Sequence, residues 1–142
     1  MTKLTLQQAN RIIEGALAKA REMRLKPLGV VVLDESGHLK AAQREDAASM
    51  FRIEIATGKA WGAVAMGASS RTLAARAKDN PNFFVTLAAT AGGKFLPQTG
   101  AVLIRNASGE LLGAAGASGG TGEEDEAVCI HGIEHAGLVA ES

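Results

Sequence analysis

Apolar side chains recur every three or four positions over residues 9–23, which is the spacing of one face of an α-helix. Thr5 precedes this pattern and Gln8 follows Thr5 by three residues, so the two can form a capping box at the start of the helix. Pro27 cannot continue a helix, and we expect the helix to end before it. The predicted buried face consists of Ala9, Ile12, Ile13, Ala16, Leu17, Ala20 and Met23.

Two later stretches have the pattern of β-hairpins, in which apolar runs flank a short turn. The first hairpin spans residues 28–44 with its turn over 34–37, and the second spans 101–117 with its turn over 106–109. We also expect a strand or extended segment over 95–98. Strands joined by short turns pair antiparallel, so the sequence predicts an antiparallel sheet of about five strands.

The segment between the two hairpins is rich in alanine and other small residues. It predicts two helices, followed by a short third helix that begins at Pro81. Gly58 and Gly62 lie one turn apart on the first of these helices and leave a strip without side chains. Because glycine inside a helix is unfavourable by about 1 kcal/mol relative to alanine, we expect another helix or a sheet to pack closely there.

The C-terminal region predicts one more helix. Thr121 and Glu124 have capping-box spacing, and acidic residues in the first turn favour the positive end of the helix dipole. The predicted order of elements is therefore α-ββ-αα(α)-βββ-α. We interpret this order as an α+β fold, with a single antiparallel sheet flanked by helices in one domain over residues 1–142.

Composition excludes several classes of function. The 142 residues are 46% hydrophobic and 21% charged, and no apolar run reaches the ~18 residues that a membrane span requires. Lys plus Arg and Asp plus Glu number 15 each, so no net positive field attracts a nucleic acid. We expect no membrane and no nucleic-acid partner. The absence of a secretory pattern and the lone Cys129 favour a cytoplasmic protein.

The stretch DEAVCIHGIEH contains the one cysteine and two of the three histidines. His131 and His135 are four residues apart, so both lie on one side of the predicted helix, away from the apolar arc that includes Cys129. They are interpreted as a solvated or subunit-contact pair, as metal or haem ligands, or as a catalytic pair. Gly132 stands where zinc proteases have their glutamate, which argues against that class. His38 is explained by its position beside a turn.

A second group of candidate residues could bind an anionic ligand. Lys59 lies in an otherwise small and apolar stretch, so its ammonium either reaches solvent or meets an anionic partner. Arg44, Asp46 and Arg52 lie nearby in sequence, around the junction between the first hairpin and this helix, and Arg44 and Asp46 are candidates for ligand binding. The loop of Gly119, Gly120 and Thr121 leads into a helix N-terminus, where free N–H groups could hold an anion or simply be capped.

Three stretches together resemble the GlcG/HbpS family, which also contains the C-terminal domain of PduO. They read VVVLDESGHLKAAQREDAA, IATGKAWGAV and VLIRNASGELLGAAGASGGTGEEDEAVCIHGIEHAGL, and the resemblance runs from about residue 4 to residue 138. It implies an antiparallel sheet flanked by helices, assembly into multimers and, for some members, haem or a related tetrapyrrole as ligand. Other members accompany catabolic gene clusters.

The sequence departs from this family at two places. The haem-ligating histidine of the PduO branch lies on the first helix, where this chain has Gln7, Gln8 and Asn10 and no histidine. The family's PGGVP before the second hairpin reads PQTGAV here. Both departures leave room for a different small ligand.

Our leading hypothesis is a homo-oligomeric protein that binds a small ligand, either haem or a small organic acid, between the Lys59 helix and the Gly119 loop. Lys59 and Arg44 would attract a carboxylate, and His131 or His135 would bind iron. One alternative is an enzyme acting on a small organic acid or carbonyl compound, with His131 or His135 as general acid or base. Another is an accessory subunit of a catabolic complex.

Overall fold

The computed structural model describes residues 3–142 of the chain. In this range it contains five helices and five strands. The helices are α1 (Leu6–Glu22), α2 (Phe51–Met66), α3 (Ser70–Asp79), α4 (Pro81–Thr90) and α5 (Gly122–His135); the strands are β1 (Gly29–Asp34), β2 (Leu39–Arg44), β3 (Ala101–Arg105), β4 (Leu111–Ser118) and β5 (Val139–Glu141).

The five strands form one sheet in the order β2-β1-β4-β3-β5, and every neighbouring pair is antiparallel. Both predicted hairpins are present, and the α+β fold with a single antiparallel sheet is confirmed. The fifth strand lies elsewhere than expected. Residues 95–98 form no strand, since Pro97 has no amide hydrogen to donate to a sheet and the segment crosses α2 instead. The fifth strand is β5, after α5, where Ala140 pairs with Ile104.

The side chains of β1 alternate between two apolar layers, as the period of a strand requires. Val30 and Val32 pack with the buried faces of α1 and α5, whereas Val31 and Leu33 pack with α2. The sheet is therefore covered by α1 and α5 on one face and by α2 on the other. A third apolar cluster, formed by Leu73, Phe84, Phe95 and neighbouring side chains, packs α3 and α4 onto the outer side of α2.

The two predicted capping boxes are present. The amide of Gln8 donates to Thr5 Oγ1 at 3.0 Å, and the amide of Glu124 donates to Thr121 Oγ1 at 3.2 Å. The prediction for Met23 is wrong, because α1 ends at Glu22 and the Met23 side chain is exposed. None of the helices in the described part of the chain is long and apolar enough to span a bilayer.

The glycine strip on α2 is covered, as the sequence predicts, although by neither a helix nor a sheet. The extended residues 94–98 lie across it. A Cβ added at Gly62 would be 2.4 Å from the Phe95 ring, and one at Gly58 would be 2.8 Å from Leu96 Cβ. The amide of Leu96 also donates to the Gly58 carbonyl at 3.3 Å. Helix α2 is therefore enclosed between the sheet and this segment.

Helices α1 and α5 also touch through glycine. A Cβ added at Gly132 would lie 2.2 Å from the carbonyl oxygen of Ile12, and one at Gly15 would lie 2.7 Å from His135 Cβ. Both distances are shorter than a carbon contact allows, so a side chain at either position would push the two helices apart.

The substitution Gly132→Ala tests this contact. Alanine favours a helix over glycine by about 1 kcal/mol. We nevertheless expect a net loss of about 1–3 kcal/mol, because overpacking against a helix backbone requires the two helices to separate. The measurement is urea unfolding. Glu134→Ala, on the exposed side of the same helix, is the control and should change stability by less than about 0.5 kcal/mol. An equal or greater stability for Gly132→Ala would contradict this account.

Candidate functional site

Lys59 and Asp125 form a buried ion pair beside α2. Lys59 Nζ lies 3.0 Å from Asp125 Oδ2 and also donates to the Ala117 carbonyl at 3.0 Å. Lys59 and Asp125 are only 5% and 1% exposed. The second carboxylate oxygen, Oδ1, accepts a hydrogen bond from the Gly120 amide at 3.0 Å. The anionic partner of Lys59 is therefore an internal carboxylate, and the pair connects α2, β4, the glycine loop and α5.

Burial controls the ionisation of the groups around this pair. Removal from water raises the pKa of the Asp125 carboxyl above its ordinary value, and the Lys59 ammonium is the main opposing influence. Cys129 is fully buried, with Sγ 3.7 Å from the Gly100 carbonyl oxygen. Burial also raises the pKa of its thiol, so Cys129 stays protonated and unreactive.

A cavity of about 420 Å³ opens above the ion pair, and we call it the polar cavity. Arg52 lies on the first turn of α2 at its edge and is partly buried. Arg52 Nη1 donates to Ser118 Oγ at 2.9 Å, at the end of β4. The cavity is lined by Arg52, Ile55, Lys59, Gln98, Thr99, Ser118, Gly120, Gly122, Glu123 and Asp125.

The structure brings only part of the expected anion-binding set together. Lys59 and Gly120 share the polar cavity, whereas Gly119 and Thr121 face a depression on the other side of their loop. Arg44 and Asp46 line a third depression, beside α1. These two residues do not join Lys59 because they lie at and beyond the end of β2, the edge strand, and Arg44 Nη1 donates to the Ala48 carbonyl at 2.6 Å.

Arg52 is the arginine that lines the polar cavity with Lys59. The sequence places it among the charged residues between the first hairpin and α2, but it is not one of the predicted ligand-binding residues. One sequence signal could have found it. Arg52 and Lys59 are seven residues apart, or about two turns of helix, so they lie on the same face of α2. Asp125 and Ser118 could not be found in this way, since they are far away in sequence and meet α2 only in the folded chain.

His131 and His135 lie on the exposed side of α5. His135 Nε2 is 3.2 Å from Glu14 Oε1 on α1, and both side chains are accessible to solvent. Neither histidine lines the polar cavity. Within residues 3–142, no three histidine, cysteine or acidic side chains are grouped so that they could hold a metal ion.

A larger cavity of about 740 Å³ lies on the opposite side of α2, and we call it the apolar groove. It runs between the tip of the β1–β2 hairpin, α2 and the segment that crosses α2. Trp61, the one tryptophan of the chain, forms part of its wall, and the Lys94 ammonium lies 6.0 Å from the Trp61 ring centre. Its apolar lining comprises Leu33, Leu39, Ile53, Trp61 and Leu96.

His38 lies at the rim of the apolar groove, with its side chain 81% exposed. Its Nδ1 is 4.0 Å from Asp34 Oδ1, which is too far for a hydrogen bond. That oxygen instead accepts hydrogen bonds from the backbone amides of Ser36 and His38, both at 3.0 Å. The turn is thus held by Asp34, while the imidazole of His38 makes no hydrogen bond to the protein within residues 3–142.

Comparison with known proteins gives one family. The family described as haem degrading protein HbpS-like matches residues 4–134, most of the chain. The chain belongs to the HbpS-like family. No curated protein sequence matches this chain.

Solved structures that are similar to this chain share its fold. The crystal structure of HbpS has a TM-score of 0.80 and 26% identity, and the match covers 94% of this chain and 90% of that chain. The crystal structure of a PduOC:haem complex has a TM-score of 0.86 and 24% identity, covering 99% and 100% of the two chains. The Klebsiella pneumoniae protein ORFY has a TM-score of 0.85 and 22% identity, covering 96% and 93%.

The substitution Lys59→Met tests the buried pair. It leaves Asp125 buried without a cation, and we expect a loss of about 3–5 kcal/mol at pH 7. The pKa of Asp125 in the folded variant should then lie further above its unfolded value. At pH values between the unfolded and the folded pKa of Asp125, the folded state would therefore bind more protons than the unfolded state. The free energy of unfolding should rise as pH falls through this range.

Urea unfolding between pH 4 and pH 8 measures this dependence. The control is the double variant Lys59→Met/Asp125→Leu, which removes both charges. It should be more stable than Lys59→Met at pH 7 and should lack the added pH dependence. Lys59→Met could instead lose the same free energy of unfolding at every pH, or the double variant could lose as much as Lys59→Met. Either result would show that the attraction between the two charges does not account for the loss.

Proposed function

We propose that this protein binds haem in the apolar groove, with His38 as the iron ligand. The observation that carries the proposal is the combination of an imidazole without an internal hydrogen bond, an apolar wall and an ammonium group in one cavity. Membership of the HbpS-like family and the similarity to the fold of a PduOC:haem complex support haem as the ligand.

The residues of the groove suit the chemistry of haem. Its volume of about 740 Å³ lies within the ~300–1,000 Å³ typical of small-molecule sites. Leu39, Ile53 and Trp61 offer an apolar surface to a flat macrocycle. Lys94, beside Trp61, supplies a positive charge for a propionate group. Haem iron is commonly held by histidine, and His38 is the histidine that lines this cavity.

The hairpin turn gives His38 a defined position. Because Asp34 accepts hydrogen bonds from two backbone amides of the turn, the backbone at His38 is fixed while its ring remains free. The Asp34 carboxylate also lies on the Nδ1 side of the ring. The exposed ring would have to turn toward this carboxylate, which is 4.0 Å away, for the carboxylate to orient it while Nε2 binds iron.

The α5 histidines are the rival ligands. The chain has three histidines and none of them lies on α1, so a histidine ligand must be His38, His131 or His135. His131 and His135 lie on the exposed side of α5, where His135 contacts Glu14 of α1, and neither histidine lines a cavity described above. The same two residues are the candidate acid or base of the enzyme alternative, and variants at these positions test both ideas.

Haemin titration of the purified protein tests the proposal. We expect a Soret shift that saturates at one haem per chain, together with quenching of Trp61 fluorescence, because the haem would lie against the one indole of the chain. His38→Ala should lose the Soret shift and weaken binding by about tenfold or more, equivalent to about 1.4 kcal/mol. Lys94→Gln should weaken binding while preserving the Soret position.

The matched control is the double variant His131→Ala/His135→Ala, which should bind as the wild type does. Loss of the Soret shift in this double variant, with retention in His38→Ala, would place the iron on α5 and overturn the assignment. A shift that occurs without quenching of Trp61 would place the haem outside the groove. The absence of any saturable spectral change in the wild type would remove haem as the ligand.

A further inference from the structure

We propose that the polar cavity is a second ligand site, which binds a small organic carboxylate through the guanidinium of Arg52. The proposal does not depend on haem binding, since the two cavities share no side chain. It also differs from the site expected from the sequence, in which Arg44 was to bind the carboxylate.

Arg52 has donors that the protein does not use. Its guanidinium carries five N–H groups, and the structure shows one side-chain hydrogen bond, to Ser118. Among residues 3–142, no acidic side chain forms an ion pair with it, although the arginine is partly buried. A planar guanidinium that is held in place and lacks a carboxylate partner is suited to bind one from solution.

The packing of α2 against β1 fixes the backbone and Cβ of Arg52. A Cβ added at Gly29 would lie 3.0 Å from Arg52 Cβ and 3.1 Å from its carbonyl carbon. Glycine at this position therefore lets the first turn of α2 approach β1 closely. The Ser118 hydroxyl, on the strand next to β1, holds the other end of the side chain. With both ends held, Arg52 loses less freedom on binding a ligand.

Lys59 provides a second donor on the wall of the cavity. An ammonium has three N–H groups, and two of them are used by Asp125 and the Ala117 carbonyl. The third makes no hydrogen bond within residues 3–142, and Lys59 is a lining residue although its side chain is only 6% exposed. The hydroxyl groups of Thr99 and Ser118 add further polar atoms to the lining. The volume of about 420 Å³ admits a small molecule.

The charges of the lining favour a carboxylate over a phosphate. Arg52 and Lys59 contribute two positive charges, while Asp125 and Glu123 contribute two negative ones. The cavity is therefore neutral as a whole. In a neutral cavity the attraction and the repulsion of an anion largely cancel, whereas the cost of removing the anion from water rises faster than its charge. A singly charged carboxylate is therefore favoured over a doubly charged phosphate.

Amide chemical-shift titration with propionate tests the proposal, and propionamide, which has a similar shape and no charge, is the control ligand. We expect propionate to give saturable shifts at the amides of Thr99, Gly120 and Gly122, which line the cavity, and propionamide to give none. Arg52→Gln should weaken propionate binding by about tenfold or more. Arg52→Lys should give an intermediate loss, since an ammonium cannot form the bidentate pair.

Arg44→Gln is the matched control variant, because Arg44 is an arginine whose guanidinium contacts a carbonyl oxygen outside this cavity. It should bind propionate as the wild type does. Equal shifts with propionate and propionamide, unchanged affinity in a folded Arg52→Gln, or loss in Arg44→Gln would overturn the proposal. Tighter binding of inorganic phosphate than of propionate would overturn the assignment of ligand class.

Each of the two proposals can be refuted without affecting the other. Propionate should leave Trp61 fluorescence unchanged, because Trp61 lies across α2 from the polar cavity. Quenching of Trp61 by propionate would contradict the placement of this site. A failure of haem to bind would leave the carboxylate titration unaffected, and a failure of propionate would leave the haem titration unaffected.

Discussion

Close backbone contact between α2 and the sheet is the constraint on which the rest of the structure depends. A Cβ at Gly116 of β4 would lie 2.4 Å from the Ala56 carbonyl oxygen, so only glycine permits this approach. Alanines face the sheet along the helix, and glycines face the segment that crosses it. Because α2 is enclosed on both sides, its remaining two faces are where cavities can open. The polar cavity lies on one of these faces and the apolar groove on the other.

The same constraint explains the buried ion pair. Lys59 lies on an enclosed helix and cannot extend its ammonium freely into solvent, so the fold must supply a partner. A well-packed apolar pair would often be as stable as a buried ion pair, so stability alone does not account for these residues. What the pair does provide is position. It holds the N-terminal turn of α5 and the Gly120 amide against α2, and these elements form one wall of the polar cavity.

Local patterns predicted the elements of the fold well, because capping boxes, hairpin turns and helical spacing are properties of neighbouring residues. The fifth strand was missed since β5 is only three residues long and depends on pairing with β3. The site was predicted only in part for a similar reason. Sequence proximity suggested Arg44 beside Lys59, whereas helix geometry selects Arg52. The role of Asp125 depends on a contact with α2 that no local pattern encodes. The sequence explains His38 only as a turn residue, because the groove beside it forms from segments that are distant in sequence.

The enclosure of α2 also bears on whether its two cavities can influence each other. Arg52 and Lys59 lie on one side of the helix, while Ile53 and Trp61 lie on the other. A ligand in one cavity could affect the other by displacing α2, or through the crossing segment, in which Leu96 lines the apolar groove and Gln98 lines the polar cavity. The backbone contact at Gly116 opposes such movement, because a packed core resists small displacements. Coupling between two sites requires an element with two arrangements, and α2 is packed for one. The packing of α2 thus opposes coupling of the two cavities through this helix.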